Sequence, residues 1–140
     1  MYSQRNLLLS QERISIPDEW IMNVPQLDYQ MAVTMISRVL ADDNKPDAVF
    51  AASDVLAAAV VNHAVSSGIR VSDDLMVIGF DNISLCQIVR PALTSVNQPK
   101  QKLGFTACEM LHKKLKGKNL KANKILLQTE LVIRGSTEHL

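Results

Sequence analysis

The sequence has few features that point to catalysis, metal binding or a membrane. Its two cysteines, Cys86 and Cys108, have no metal-binding or redox spacing, so we expect two free thiols in a reducing cytoplasm. No apolar run approaches the ~18 residues of a membrane span. Phosphate-binding glycine loops, zinc spacings and Gly-x-Ser-x-Gly elbows are also lacking. These absences argue against an enzyme and predict no cofactor, no metal and no contact with a membrane.

The sequence also lacks an excess of positive or negative charge. The chain has 15 Lys and Arg against 14 Asp and Glu, a net charge of +1, with no basic block. Composition therefore gives no electrostatic case for binding nucleic acid or a membrane surface. Apolar residues make up 47% of the 140 residues, which is typical of one globular domain with a real core.

The most informative stretch is residues 75–82, a short apolar run with polar neighbours. It predicts a strand buried on both faces, as in a parallel sheet covered by helices. Asp81 and Asn82 would then end that strand, at the edge where open parallel sheets bind ligands. Asp and Asn are also common after strands because they form local turn hydrogen bonds, and position alone favours that turn interpretation.

A second apolar strand is predicted at residues 48–52, followed by Ser53 and Asp54. A helix that is apolar nearly all round follows, and Gly68 marks its end. Strand, helix and strand with short links form a βαβ unit with two parallel strands. An acid–base pair of Asp54 and Asp81 in a shared crevice is an alternative interpretation. The N-cap of the helix is the favoured role for Asp54.

The remaining pattern predicts two amphipathic helices and some terminal structure. One helix covers residues 28–40, with a stripe that includes Met31, and another runs from Pro99 to Gly117. The second helix has an apolar stripe of Leu103, Ala107, Met110, Leu111 and Leu115, which we expect to be covered by another chain or by a fold-back of this one. We also expect the end of a helix at residues 5–11, a short strand at 19–24 and one or two strands at 125–133.

Several motifs then occur in an order and spacing that resemble those of the LacI/GalR family of bacterial transcription regulators. They are PDAVFAASD at residues 46–54, GIRV at 68–71, VIGFDN at 77–82, PALTSV at 91–96, QP at 98–99 and ELVIRGST at 130–137. The resemblance implies an α/β fold, an open parallel-sheet lobe of the periplasmic-binding-protein-like type I fold. It also implies a binding module without catalysis that controls how a homodimer presents its DNA-binding heads.

The resemblance further implies an effector site for a small molecule, which in this family is commonly a carbohydrate. Asp81 corresponds to the family's acidic effector ligand, with Asn82 beside it. Ser53 stands where many members have a ligand-binding Asn, and Asp54 matches the Asp that follows. Leu27 or Tyr29 falls near the position of an aromatic ring that stacks on the sugar in some members, although a core or lip role fits as well.

The resemblance also implies that this chain is a fragment, truncated at its N-terminus. Residues 1–97 and 121–140 would form most of the C-terminal lobe. Residues 98–120 would form a helix of the otherwise missing N-terminal lobe. The helix-turn-helix domain is absent from the sequence, so operator DNA would be bound only through that missing part. A homodimer interface is expected at or beside Ala58, Asn62, Leu85 and Val89.

Two other classes of protein fit parts of the pattern. A sugar-binding protein of a transporter has the same fold, but the sequence shows no export signal and its motifs are those of regulators. An enzyme on the same scaffold is disfavoured by the missing nucleophile and metal sites.

Overall fold

The computed structural model describes residues 15–24, 28–117 and 124–138, which contain a four-stranded sheet with strand order β1-β2-β3-β4. The strands are β1 Ala48–Phe50, β2 Met76–Asp81, β3 Thr94–Asn97 and β4 Glu130–Val132. The first three strands run parallel, and β4 is antiparallel to β3. The prediction of an open, mainly parallel α/β sheet is therefore confirmed. Within residues 125–133 only Glu130–Val132 forms a strand.

The described residues also form four α-helices: α1 Tyr29–Leu40, α2 Asp54–Ser66, α3 Leu85–Ile88 and α4 Lys100–Leu115. The predicted strand at residues 19–24 is wrong. Asp18–Trp20 is a 3-10 turn closed by a 3.0 Å hydrogen bond from the Trp20 amide to the Pro17 carbonyl. Residues 21–24 have no regular secondary structure and no strand partner in the described part of the chain, and a strand needs one. The expected helix at residues 5–11 lies outside the described residues.

Helix α2 connects β1 to β2 along the chain and packs against β2 and α1. Eight of its residues are buried, as its nearly uniform apolar sequence predicts. Its N-cap is Ser53, whose hydroxyl accepts a hydrogen bond from the Leu56 amide at 3.3 Å. The prediction that Asp54 provides the cap is therefore wrong, because Asp54 is already inside the helix. The helix is followed by Gly68 in the left-handed region at φ 78°, as predicted.

Helix α1 packs against α2 and completes the core on that side. Asp28 caps it by accepting a 3.0 Å hydrogen bond from the Met31 amide. Its buried residues are Ala32, Ile36 and Leu40. Met31 was predicted to belong to the stripe, but it is 43% exposed because that side of the first turn faces away from α2.

The segment after β4 is fastened to the middle of the sheet by Ser136, which is fully buried. The Ser136 carbonyl accepts a 3.0 Å hydrogen bond from the Val77 amide, and its hydroxyl donates to the Val77 carbonyl at 2.6 Å. The same hydroxyl accepts from the Thr94 amide at 2.8 Å. One serine thus joins the beginnings of β2 and β3 to the segment that follows β4.

Helix α4 begins after Pro99 and ends before Gly117, as the sequence predicts, yet none of its described side chains is buried. Leu103 is 52% exposed and Leu111 58% exposed. The described part of the chain therefore does not cover the apolar stripe of this helix, which disagrees with the expected fold-back as far as those residues are concerned. Among the described residues, no helix is long and apolar enough to cross a membrane.

Candidate functional site

The carboxyl ends of the parallel strands meet at one edge of the sheet and carry polar side chains. Asp81 ends β2 and is the register partner of Asn97, which ends β3. Ser53 and Asp54 follow β1 at the same edge. The structure thus brings together four of the predicted effector residues, Ser53, Asp54, Asp81 and Asn82, through the βαβ connection that the sequence indicates.

The turn that follows β2 has a strained backbone. Asp81 has φ 105° and Asn82 has φ 52°, both in the left-handed region that residues other than glycine rarely adopt. Such conformations cost roughly 1–3 kcal/mol each, so the surroundings must hold them. Two hydrogen bonds do so from below: Ser95 Oγ accepts from the Asn82 amide at 3.0 Å, and Asp54 Oδ2 accepts from the Ile83 amide at 2.8 Å.

The side chain of Asn82 ties this turn to two other segments. Its Oδ1 accepts a 2.8 Å hydrogen bond from Arg134 Nη2, and its Nδ2 donates to Asn97 Oδ1 at 3.2 Å. Asn97 in turn donates to Glu130 Oε1 at 2.8 Å. The amide of Asn82 is therefore committed to the protein at both ends, and it holds the turn in place.

The side chain of Asp81 has one oxygen that the described residues leave available. Its Oδ1 accepts a hydrogen bond of 2.5 Å from Gln98 Nε2, and its backbone carbonyl accepts from Lys100 Nζ. No hydrogen bond from the described part of the chain reaches Oδ2. Asp81 is only half-buried, so this oxygen is an accessible acceptor at the sheet edge.

Ser53 and Asp54 lie beneath the turn. Ser53 is 5% exposed and its hydroxyl caps α2, while Asp54 is 1% exposed. Asp54 Oδ1 accepts a 2.5 Å hydrogen bond from Ser95 Oγ, so both carboxylate oxygens serve the protein. The carboxylate lies over Gly79, where a Cβ would come within 2.4 Å of Oδ1. This arrangement supports the turn and offers no acid–base partner for Asp81.

Leu27 and Tyr29 are the two residues predicted near the position of the stacking ring. Leu27 lies outside the described residues. The Tyr29 hydroxyl accepts a 2.9 Å hydrogen bond from Asn62 Nδ2, which joins the start of α1 to the middle of α2. Tyr29 thus lies beside a residue expected at the dimer interface.

The residues predicted for that interface differ in what they expose. Asn62 is exposed and Leu85 is half-buried. Ala58 and Val89 are 1% and 6% exposed, so they are already covered within the chain and lie beneath this surface. A partner would therefore touch mainly Asn62 and Leu85.

Sequence reasoning assigned no role to the residues that complete the site. Gln98 and Arg134 both belong to motifs of the resemblance, and that position was the only available signal. Asn97 also lines a groove of about 400 Å³ together with Pro99, Gln128, Thr129 and Glu130. No cluster of His, Cys, Asp and Glu in the described ranges could hold a metal ion.

Comparison with known proteins identifies the fold that carries this site. A model of the periplasmic binding protein-like domain matches residues 7–137. The HTH-type transcriptional repressor PurR of Photobacterium profundum is 35% identical over 135 residues, which are 96% of this chain and 40% of the repressor. This chain therefore spans about two fifths of that relative's length. The relative is a repressor and not an enzyme, in agreement with the expectation of a binding module.

Two solved structures of regulators resemble the chain as well. The transcriptional regulator CelR in complex with cellobiose matches with a TM-score of 0.81 and 29% identity, over 91% of this chain and 39% of that one. The lac repressor dimer bound to operator and the anti-inducer ONPF matches with a TM-score of 0.66 and 29% identity, over 78% and 32%. The chain belongs to the periplasmic binding protein-like domain family, in the form found in LacI-family transcriptional regulators.

Proposed function

We propose that this chain is the sugar-binding and dimerisation part of a LacI-family regulator, with Asp81 as the main effector ligand. The observation that carries the proposal is the accessible Oδ2 of Asp81, on a strained turn that hydrogen bonds from several segments hold in place. Backbone strain that the surrounding structure maintains is a feature of functional sites. The turn formed by Asp81 and Asn82 therefore binds the effector in addition to leading the chain out of β2.

The chemistry of the site suits a hydroxylated ligand. A hydroxyl both donates and accepts hydrogen bonds, and here a carboxylate acceptor lies beside the donating amide of Gln98. The related regulator CelR was solved with cellobiose, a sugar. We propose that Asn82, Ser53 and Asp54 keep the turn in place rather than contact the effector, and that Tyr29 acts at the edge of the site or at the dimer surface.

The proposed organisation follows the related regulators. Residues 1–97 and 121–140 belong mostly to the C-terminal lobe, and 98–120 to a helix of the other lobe. A homodimer is proposed because the related lac repressor was solved as a dimer bound to operator. Operator binding, and with it a cytoplasmic site of action, would require a DNA-binding domain outside this sequence.

Titration calorimetry with cellobiose and a panel of other mono- and disaccharides tests the proposal. Asp81→Ala removes a charge-assisted hydrogen bond, so we expect affinity for the bound sugar to fall by ~1.5–3 kcal/mol. Asp47→Ala is the matched control, because Asp47 is an exposed carboxylate in the loop before β1. Equal affinity of the Asp81→Ala and wild-type proteins would contradict the assignment. Binding of nucleobases with no binding of sugars would contradict the effector class.

A further inference from the structure

Helix α4 is attached to the rest of the chain in an unusual way. None of its sixteen residues is buried, so packing of its side chains does not fix its direction. Pro99 provides no side-chain cap either. The residues on both sides of Pro99 instead contact Asp81: Gln98 through its side-chain amide and Lys100 through its ammonium group.

We propose that Gln98 is a positioning residue that latches the Asp81 side chain to the start of α4, so that effector binding at Asp81 is coupled to the placement of this helix. The proposal rests on the proposed function of Asp81. Through the Gln98 contact, an effector bound at Asp81 would influence helix α4, by which the chain leaves this lobe.

The hydrogen bond itself defines what the latch does. A carboxylate accepts hydrogen bonds only, so the 2.5 Å contact must be a donation from Gln98 Nε2 to Asp81 Oδ1. This contact favours the carboxylate rotamer in which Oδ1 faces Gln98 and Oδ2 has no hydrogen bond from the described residues. An effector hydroxyl that binds Oδ2 selects the same rotamer, so binding strengthens the latch. By linkage, a broken latch weakens effector binding by the same factor.

Hydrogen exchange of the amides at residues 103–106, the first that are hydrogen-bonded within α4, tests the latch when it is measured in the protein without ligand. Gln98→Glu replaces the donor with a second carboxylate facing Asp81. We expect exchange in this first turn to become at least about fivefold faster, the scale of one hydrogen bond to a charged group. Amides of α2 and β2 should be unaffected.

The sign of the change separates the latch from a general charge effect. A negative charge near a helix N-terminus stabilises the helix, so Gln98→Glu without a latch should slow the exchange. Gln101→Glu, in the exposed first turn of α4, is the control that should show this slowing. Gln98 precedes Pro99 and lies outside the helix, so its replacement does not alter helix propensity.

A second variant shows whether Asp81 is the partner. In an Asp81→Ala background, Gln98→Glu should no longer accelerate exchange. Unchanged or slower exchange in the single Gln98→Glu variant would overturn the proposal, as would acceleration that persists without Asp81. Because no ligand is present, failure here leaves the calorimetric test of sugar binding unaffected, and failure of sugar binding leaves the latch unaffected.

Discussion

The carboxylate of Asp54 accepts a 2.5 Å hydrogen bond from the hydroxyl of Ser95, which lies 41 residues later in the chain. Both residues are buried. Ser95 Oγ also accepts from the Asn82 amide, and Asp54 accepts from the Ile83 amide. The two side chains together form the support on which the turn at Asp81 rests. A disturbance of this pair should therefore affect both the stability of the fold and the conformation of the turn at Asp81.

The first prediction compares Asp54 with its neighbour Ser53. Asp54→Ala leaves the Ile83 amide and the Ser95 hydroxyl without their acceptor in a buried site, and we expect it to lower the free energy of unfolding by ~2–4 kcal/mol. Ser53→Ala removes only the helix cap, which costs about 1 kcal/mol. Urea unfolding of both variants gives the comparison. A larger loss for Ser53→Ala would show that the cap matters more than the buried carboxylate.

The second prediction concerns Gly79, over which the Asp54 carboxylate lies. An Ala side chain there would come within 2.4 Å of Asp54 Oδ1 and 3.1 Å of Leu93 Cδ2. We expect Gly79→Ala to lower the free energy of unfolding by ~1–3 kcal/mol, as overpacking does. Residues in contact are not additive, so the loss should be smaller in an Asp54→Ala background. Equal losses in both backgrounds, measured by urea unfolding, would rule out the carboxylate as the obstacle.

The third prediction concerns the two thiols. Burial, and then its hydrogen bond to Asp54, raises the pKa of Cys86 from 9.0 to about 11, whereas Cys108 is exposed. We expect Ellman's reagent at pH ~8 to label one thiol in the native chain and both in urea, because the thiolate is the reactive form. Two rapidly reacting native thiols would contradict the burial of Cys86.

The raised pKa of Cys86 also sets a pH dependence. Above pH 9.0 the unfolded chain loses the thiol proton before the folded chain does. The free energy of unfolding should therefore decrease as the pH rises from 9.0 toward 11. Below pH 9.0 the thiol is protonated in both states and adds no pH dependence to the free energy of unfolding. Cys86→Ala is the control that should reduce this slope.

The fourth prediction tests the proposed dimer surface. Leu85 is half-buried and Asn62 is exposed, so a charge at Leu85 faces the expected partner. Leu85→Asp should shift the protein toward monomer in sedimentation velocity. Leu126→Asp, at an 82% exposed leucine outside this surface, should not. If Leu85→Asp unfolds the chain instead, as circular dichroism would reveal, then Leu85 serves the core and the interface assignment is wrong.

The fifth prediction concerns the apolar stripe of α4. Leu111 is 58% exposed and Leu115 78% exposed. Burying a leucine fully is worth ~1.5–3 kcal/mol, so we expect the stripe to associate with another chain. Replacing both leucines with lysine should reduce concentration-dependent association in sedimentation equilibrium, with little change in urea unfolding. Lys113→Ala, on the same helix, is the control. A wild-type chain that stays monomeric at high concentration would contradict the expectation.

Local patterns in the sequence determined most of the secondary structure. The short apolar runs that became β1 and β2, and the glycines that follow α2 and α4, act through neighbours in the chain. Their structural consequences can therefore be predicted from spacing alone. The position of Asp81 at the end of β2 could be predicted for the same reason, since the end of a buried parallel strand is a position that sequence defines. The strand predicted at residues 19–24 failed because a strand needs a partner that no local pattern provides.

Only the tertiary structure decided what each polar residue does. Asp54 and Asp81 both belong to short polar pairs that follow strands, yet Asp54 is buried against Ser95 and Asp81 keeps an accessible oxygen. Ser95, the partner of Asp54, lies 41 residues from it, and Gln98, the partner of Asp81, lies 17 residues from it. Hydrogen bonds between distant segments depend on how the chain packs. Spacing along the sequence therefore predicts where a polar side chain lies in its strand or helix, but not which partner holds it.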